Sequence, residues 1–231
     1  YCNYPKWARI DRGKPRLVPL TLATAGEKRL KKRVVCLMYP AVKVGIDRCF
    51  ALVVIALLTP FLITVAILIK ITSKGPVFFH QERVGLHQKP FDLLKFRSMT
   101  HETHEIKRYT SKGDGVTRLG YYLRKYKIDE LPQLFNVLKG DMSFVGPRPN
   151  IPDHIQHMNE HQKKRYLVRP GMTGHAQVSG NIYIEWEKRY EYDVEYVEKM
   201  SFWNDVRIIL RTFQLVWIGE KSYVDNPFVL R

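Results

Sequence analysis

The sequence has few cysteines and none of the common hydrolase or nucleotide-binding motifs. Its three cysteines, Cys2, Cys36 and Cys49, have neither paired nor metal-ligand spacing, which argues against a disulfide framework and suits a reducing compartment. No Gly-x-Ser-x-Gly motif, Walker-type loop or Gly-x-Gly-x-x-Gly motif occurs. The sequence therefore gives no support for an α/β-hydrolase, a P-loop enzyme or a dinucleotide-binding enzyme.

Acidic residues are also scarce relative to basic ones. Lys and Arg number 38 against 22 Asp and Glu, so the formal net charge is +16. Such an excess suits an anionic partner, which could be nucleic acid, phospholipid headgroups or a phosphorylated substrate. No recognised nucleic-acid-binding motif is present, so we expect no nucleic-acid partner.

One long stretch lacks charge altogether, residues 49–69 (CFALVVIALLTPFLITVAILI). About 20 apolar residues suffice for a helix to cross a bilayer. Basic residues, which prefer the cytoplasmic side, flank the stretch at both ends. Thr59-Pro60 lies at its middle, where proline removes an amide donor and the Thr hydroxyl can bond to the backbone, so we expect a kink. These features predict a re-entrant helix that returns to the same membrane face, and a kinked spanning helix is the alternative.

The chain divides into three segments. Residues 1–32, punctuated by prolines and glycines, are predicted to be a loosely ordered arm, and the absence of an initial Met leaves room for an upstream portion. Residues 33–74 form the membrane-inserted helix and its flanks. Residues 75–231 form a polar domain that we expect on one side of the membrane.

Within the polar domain the sequence predicts an α+β fold that is predominantly helical with a small sheet. PVFFHQERVG and FDLLKFRSM indicate two strands. Helical spacing covers about 152–166, the stretch from Trp186 to Val197, and the stretch from Trp203 to Trp217. The last of these is rich in aromatics and carries Arg207 and Arg211. It fits either an interfacial amphipathic helix or a core helix.

Asp129 and Glu130 are the best candidates for chemistry. Asp129 is a plausible helix N-cap, Glu130 falls in the first turn, and Gly140 is a natural stop. A carboxylate can attack phosphorus, and two adjacent acids can hold Mg²⁺. An acidic pair at a helix start also serves simply to cap the helix, and in isolation that is the more common role.

Basic and histidine side chains supply further candidates. Four of them could neutralise a diphosphate: Lys95, Arg97, Arg124 and Arg148. Arg148 lies between two prolines that restrict its backbone. His154, His157 and His161 are spaced to share a helix face, which could bind Zn²⁺, although a solvated polar helix explains them as well.

Several ordered blocks together resemble one family, the bacterial sugar transferases, also called monotopic phosphoglycosyl transferases. The similarity covers roughly residues 33–223, and Thr59-Pro60 stands where the family carries a Ser-Pro break. Asn181 follows Gly180 directly, where many members read Gly-Arg-Asn. The matching blocks are GPVFFHQERVG, KFRSM, DELPQLFNVLKGDMSFVGPRP, RPGMTGHAQVSG, and the stretch from YDVEYV through Thr212.

The resemblance implies a two-step reaction in a catalytic sugar transferase domain over residues 75–231. Asp129 would attack the β-phosphate of a UDP-sugar and release UMP, and the sugar phosphate would then pass to undecaprenyl phosphate. Glu130 would help to hold Mg²⁺. Lys95, Arg124 and Arg148 match family positions suited to phosphate contacts, and Asp193 matches a recurrent acid.

The family also implies a cellular setting and leaves some points open. We expect the bacterial inner membrane, with the catalytic domain on its cytoplasmic face in contact with lipids. Such enzymes start capsule, exopolysaccharide or O-antigen synthesis. Apolar helix faces leave room for a homodimer. The rival hypotheses are a glycosyltransferase that releases UDP and a non-catalytic basic membrane scaffold.

Overall fold

The computed structural model describes residues 20–100 and 115–218. The described part is predominantly helical, as the sequence predicts, and it has two small sheets where one was predicted. Short 3-10 turns occur at Leu86–Gln88, Ile128–Glu130, Pro152–His157, Gln162–Leu167 and Asn181–Tyr183. The regular elements are α1 (Leu20–Thr72), β1 (Phe78–Val84), β2 (Pro90–Phe96), α2 (Arg118–Lys125), α3 (Gln133–Lys139), β3 (Ser143–Val145), β4 (Gly171–Thr173), α4 (His175–Val178), α5 (Trp186–Glu198) and α6 (Phe202–Ile218).

Helix α1 is longer than expected. It runs for 53 residues from Leu20, so part of the segment assigned to a loose arm is helical, while residues 1–19 lie outside the described residues. The stretch after Pro19 is rich in Ala, Leu, Lys and Arg, which favour helix, and its propensity outweighs the neighbouring prolines. The part from Tyr39 to Thr72 is 34 residues long and contains an 18-residue stretch with a mean hydropathy of 2.9, so it is long and apolar enough to cross a membrane.

Hydrogen-bonded helix continues through Pro60. The Thr59 hydroxyl donates to the carbonyl of Ile55 at 2.7 Å, and the Thr64 hydroxyl donates to the carbonyl of Pro60 at 2.9 Å. Both hydroxyl bonds are made within about one turn of Pro60, and neither reaches the Ala56 carbonyl, whose amide donor Pro60 removes. The prediction that Thr59 bonds to the backbone is therefore confirmed.

One stripe of α1 packs against the polar domain in two stretches, from Lys43 to Ala51 and from Leu62 to Ile69. Its buried members are Lys43, Asp47, Ala51, Leu62, Val65 and Ile69. Ala51 packs with Leu93 and Val137, and Ile69 packs with Phe96 and Leu123. The remaining faces expose large apolar side chains, including Leu57 and Ile71 at 75 % each. The apolar helix is thus covered on one side and bare on the others.

Both predicted strands are present and pair with each other. Strands β1 and β2 are antiparallel, with Phe78 opposite Phe96, and a second sheet pairs β3 with β4 in parallel. The Asn136 side chain accepts a hydrogen bond from the Leu94 amide at 3.0 Å and donates to the Asp92 carbonyl at 2.7 Å. These bonds tie α3 to β2 and so fix the start of α3 relative to Lys95.

A buried polar cluster joins the middle of α1 to α5 and α6. Asp205 accepts hydrogen bonds from Tyr39 at 2.7 Å, Lys43 at 2.5 Å and Tyr196 at 2.8 Å. Asp47 lies 3.4 Å from Lys43 and accepts a bond from Ser143. We call Tyr39, Lys43, Asp47, Tyr196 and Asp205 the anchor cluster. Each of its acids has a partner, and together these bonds hold α1 to the domain.

Candidate active site

Asp129 and Glu130 lie in a 3-10 turn just before α3, not at its N-terminus as predicted. Lys127 adopts a left-handed conformation with φ 57°, and the N-cap of α3 is Pro132, with no side-chain capping bond. The prediction of Asp129 as N-cap is therefore wrong. Proline has no amide hydrogen to continue the turn and favours the beginning of a helix, so α3 starts after it. The predicted stop is confirmed, because Gly140 ends α3 with φ 97°.

Glu130 is held by two basic residues from different elements. Lys95 Nζ of β2 and Arg148 Nη2 both lie 2.8 Å from Glu130 Oε1. Burial favours the neutral acid, but Arg148 and Lys95 outweigh it and hold the pKa of Glu130 well below its usual range. Glu130 is therefore ionised, and its negative charge balances part of the positive charge of Lys95 and Arg148.

Asp129 has the opposite environment. Its side chain is buried, and Oδ1 has no hydrogen-bond partner among the described residues. Burial and the neighbouring Glu130 raise its pKa above the ordinary 3.8, while Lys95, Arg124 and Lys127 act against the rise. An oxygen with an unused lone pair, more basic than usual, has the character of a nucleophile toward phosphorus. We call Asp129, Glu130, Lys95 and Arg148 the dyad site.

Further basic residues surround the dyad site. Arg124 of α2 donates from Nε to the Ser98 hydroxyl at 2.8 Å and lies close enough to Asp129 to affect its pKa. This approach requires Gly120, because a Cβ there would lie 1.9 Å from the Ser98 carbonyl oxygen. The structure thus places Arg124 and Lys95 near the predicted nucleophile, and Arg148 against Glu130.

Arg83 is a neighbour that the sequence analysis did not assign to the site. Burial and then Arg148 lower its pKa to about 10, while Glu130 opposes the shift. Its Nη2 donates to Gln81 at 2.6 Å. The available signal was its position at the end of a strand within a block shared with the family. With Arg83, the acids of the dyad site face several cations, and this excess suits a diphosphate.

Two predicted residues lie elsewhere. Arg97 is buried and donates at 2.8 Å to the carbonyls of Lys74 and Ser73, so it closes the end of α1. Its predicted phosphate contact has no support in these bonds. Asp193 is buried on α5 and pairs with Arg165 at 2.8 Å. It does not contact the dyad site directly.

The histidine hypothesis gains no support. The predicted helix over about 152–166 consists of two 3-10 turns, in which the spacing of His154, His157 and His161 does not place them on one α-helical face. No group of three or more His, Cys, Asp or Glu suited to a metal occurs within residues 20–100 and 115–218. His154 instead packs edge-on against Trp186, with ring centroids 5.0 Å apart.

A buried acidic pair among basic residues, on a domain that carries a partly exposed apolar helix, suits an enzyme that acts on phosphorylated substrates. Residues 38–219 match the family described as bacterial sugar transferase. The chain therefore belongs to the bacterial sugar transferase family and is a transferase.

Three relatives illustrate the range of the family. An uncharacterized sugar transferase, EpsL, of Bacillus subtilis is 46 % identical over 71 % of this chain and 81 % of its own length. A UDP-glucose:undecaprenyl-phosphate glucose-1-phosphate transferase of Caulobacter vibrioides is 39 % identical over 77 % of this chain and 70 % of its own length. A UDP-N-acetylgalactosamine-undecaprenyl-phosphate N-acetylgalactosaminephosphotransferase of Aeromonas hydrophila is 38 % identical over 79 % of this chain. This chain spans only 45 % of the Aeromonas protein's length.

Proposed function

We propose that this protein transfers a sugar 1-phosphate from a UDP-sugar to undecaprenyl phosphate and releases UMP. The observation that carries the proposal is the dyad site, where a buried Asp129 with an unused oxygen lies beside a Glu130 held by Lys95 and Arg148. The relatives that are named for this reaction with glucose or N-acetylgalactosamine support the reaction class. They differ in the sugar, so the donor is left open.

The proposed reaction has two displacements at phosphorus. Asp129 attacks the β-phosphorus of the UDP-sugar, the bond from that phosphorus to the bridging oxygen breaks, and UMP leaves with the bridging oxygen. The enzyme then carries the sugar phosphate as an acyl phosphate on Asp129. A phosphate oxygen of undecaprenyl phosphate attacks the same phosphorus and frees the Asp129 carboxylate. Lys95, Arg124 and Arg148 offset charge on the phosphates in both displacements.

The residues fit Mg²⁺ as a cofactor. Mg²⁺ is usually held by one or two carboxylates together with substrate phosphates and water. The buried, unpartnered Oδ1 of Asp129 next to the ionised Glu130 offers such a carboxylate pair. When bound by Asp129 and Glu130, the ion would neutralise charge on the diphosphate.

The packing of α1 supports a re-entrant path. At about 1.5 Å per residue, the stretch from Lys43 to Ile69 is roughly 39 Å long, more than the hydrocarbon core of about 30 Å. The same domain contacts both ends, through the bond of Asp47 to Ser143 and the packing of Ile69 on Phe96. A straight crossing would require this polar domain on both sides of the membrane, so we place both ends at one face.

The exposed face of α6 fits a helix that lies at the membrane surface. Trp203 is 77 % exposed, Phe213 70 % and Trp217 92 %. These side chains recur at helical spacing on one stripe, with Arg207 and Arg211 close by. Of the two readings of this stripe, the interfacial one accounts for the exposure. Polyprenyl phosphate would present its phosphate at this depth, and we place the protein on the cytoplasmic face of the inner membrane.

The reaction is tested by nucleotide release. Detergent-solubilised protein is incubated with Mg²⁺, undecaprenyl phosphate and one UDP-sugar at a time, and UMP and UDP are separated. The proposal expects UMP from one donor and none from Asp129→Asn. UDP release would establish a glycosyltransferase instead, and no product from a broad panel of donors would favour the scaffold hypothesis.

The topology has its own test, based on cysteine labelling. Cys2, Cys36 and Cys49 are replaced by Ser, and single cysteines are placed at the exposed Val42 and Lys74, which flank the apolar stretch. An impermeant maleimide is then applied to spheroplasts and to inverted vesicles. The proposal expects both sites to be labelled from the cytoplasmic face only. Labelling of the two sites from opposite faces would establish a spanning helix.

A further inference from the structure

A buried ion pair lies behind the segment that carries Arg148. Arg165, from the 3-10 turn Gln162–Leu167, contacts Asp193 of α5 with 2.8 Å between Nη2 and Oδ2, and the two side chains are 2 % and 3 % exposed. The rings of Tyr166 and Tyr190 flank the guanidinium, with centroids 5.5 Å and 5.2 Å away. The pair is therefore held in one arrangement.

This ion pair leaves several of its buried polar atoms without hydrogen bonds in the part of the chain that the structure describes. Asp193 Oδ1 and the Nε and Nη1 atoms of Arg165 have no hydrogen-bond partner among the described residues. Burial raises the pKa of Asp193 to about 6, against the opposing effects of Arg165 and Arg189. A buried ion pair with unsatisfied atoms recovers its desolvation cost poorly. Its presence therefore calls for a use other than stability.

The pair reaches the dyad site through the backbone of Arg148. Arg165 Nη2 also donates to the Arg148 carbonyl oxygen at 2.5 Å, and Arg148 Nη2 lies 2.8 Å from Glu130 Oε1. Pro147 and Pro149 restrict the backbone on either side. The Arg148 side chain is 44 % exposed and would otherwise sample many rotamers. A fixed backbone limits where its guanidinium can lie.

We propose that Asp193 and Arg165 are positioning residues for the transfer reaction, with Asp193 orienting Arg165 and Arg165 fixing Arg148 against Glu130. This inference rests on the proposed function, because the value of a fixed Arg148 lies in its contact with the diphosphate. It gives Asp193 a role without direct contact with substrate. Supporting residues of this kind often change activity by 10- to 100-fold in metal sites, and we expect about 10-fold here.

A double-mutant cycle separates positioning from a structural role. Asp193→Asn should lower kcat for UMP release about 10-fold, and Arg148→Ala about 100-fold. If Asp193 acts through Arg148, adding Asp193→Asn to Arg148→Ala produces little further loss. Losses that multiply in the double variant would overturn the proposal. Asp205→Asn is the matched control, since it also breaks a buried ion pair but has no contact with the Arg148 segment, and its effect should multiply with that of Arg148→Ala.

A second variant covers the case in which Asp193→Asn fails to fold. Arg165→Lys keeps the charge opposite Asp193 but lacks the planar fork that contacts both Asp193 and the Arg148 carbonyl. It should lower kcat by a similar factor with a smaller change in Tm, and Arg148→Ala should mask this effect too. Full activity of Arg165→Lys would contradict the proposal.

UDP binding by calorimetry tests positioning independently of turnover. Asp193→Asn should raise the Kd for UDP several-fold in the parent protein and leave it unchanged in Arg148→Ala. If the parent protein binds UDP but releases no UMP, the proposed function fails while the binding cycle still decides the positioning role. If the Kd is unaffected by Asp193→Asn, the positioning role fails even when UMP is released.

Discussion

The dyad site and the anchor cluster are both buried groups of acids and bases, yet they are built in opposite ways. In the anchor cluster, Asp205 receives three hydrogen bonds and Asp47 receives one from Ser143. In the dyad site, Glu130 is paired twice while Asp129 Oδ1 has no partner among the described residues. Each acid of the anchor cluster is hydrogen-bonded, whereas the dyad site has a carboxylate oxygen, Asp129 Oδ1, that is available to accept a bond from a ligand.

This difference in hydrogen bonding indicates that the anchor cluster stabilises the fold and that the dyad site carries out the reaction. A satisfied buried cluster contributes through specific contacts, and removing one partner leaves an uncompensated charge. An unsatisfied buried carboxylate costs stability and is retained where it reacts or binds a ligand. Substitutions in the two regions should therefore separate activity from stability.

The largest expected effect is on turnover at the dyad site. Asp129→Asn removes the attacking carboxylate and should lower UMP release by about 10⁴-fold or more. Membrane association should be unchanged, because α1 and α6 are untouched. The exposed Asp153→Asn is the control and should behave as the parent protein. Substantial activity of Asp129→Asn would refute the nucleophile assignment.

A smaller loss is expected when a cation of the dyad site is removed. Lys95→Ala takes away one of the two partners of Glu130 and one positive charge near the diphosphate, so kcat should fall about 100-fold. The comparison is Lys139→Ala, whose side chain is 73 % exposed and pairs only with Asp141 among the described residues. Equal activities of the two variants would contradict the assignment of Lys95 to the site.

The anchor cluster should respond in stability rather than in chemistry. Asp205→Asn leaves Lys43 with a weakened partner in a buried position, and breaking such a pair costs about 3 kcal/mol. We expect a lower Tm in detergent, with the activity of the remaining folded protein within a few-fold of the parent value. A normal Tm with lost turnover would mean that the cluster belongs to the site.

The smallest effects are the opposite pH dependences of the two dyad acids. The pKa of Asp129 is raised by burial and by Glu130, so the folded state binds the extra proton and stability falls as pH rises through the window above 3.8. Asp129→Asn should therefore raise Tm at neutral pH, and the gain in Tm should shrink in acid.

The pKa of Glu130 is held low by Arg148 and Lys95 despite burial. Its contribution to the stability of the fold is therefore present above pH 4.5 and is lost as the pH falls below that value. Glu130→Gln should lower Tm at neutral pH; equal shifts for both variants would contradict the contrast.

The sequence predicted elements whose determinants are local. The strands of the β1–β2 hairpin, helix α5 and helix α6 followed from spacing, and the stop at Gly140 followed from its tolerance of positive φ. The predicted start of α3 was wrong, because the capping pattern at Asp129 was given more weight than the absence of an amide hydrogen at Pro132. The proximity of Lys95, Arg124 and Arg148 to the acids followed from the family resemblance, since elements so distant in sequence have no local signal.

Other features depended on tertiary contacts that no spacing reveals. Arg97 resembled a phosphate ligand in the KFRSM block, but its guanidinium donates to the backbone carbonyls of Ser73 and Lys74, just after the C-terminus of α1. The anchor cluster joins residues of α1 to Asp205, which is far away in sequence. Asp193 was singled out by resemblance, and only the structure connects it through Arg165 to Arg148.

The central claim is that Asp129 becomes covalently bonded to a sugar phosphate. The measurement is intact-protein mass spectrometry after brief incubation with the productive UDP-sugar and Mg²⁺, without undecaprenyl phosphate, followed by peptide mapping. We predict a mass increase equal to one sugar phosphate less one water, located on the peptide that carries Asp129. This increase should be removed by undecaprenyl phosphate and be absent in Asp129→Asn. Rapid product formation by the parent protein with no adduct at any time, or an adduct on another residue, would contradict the account.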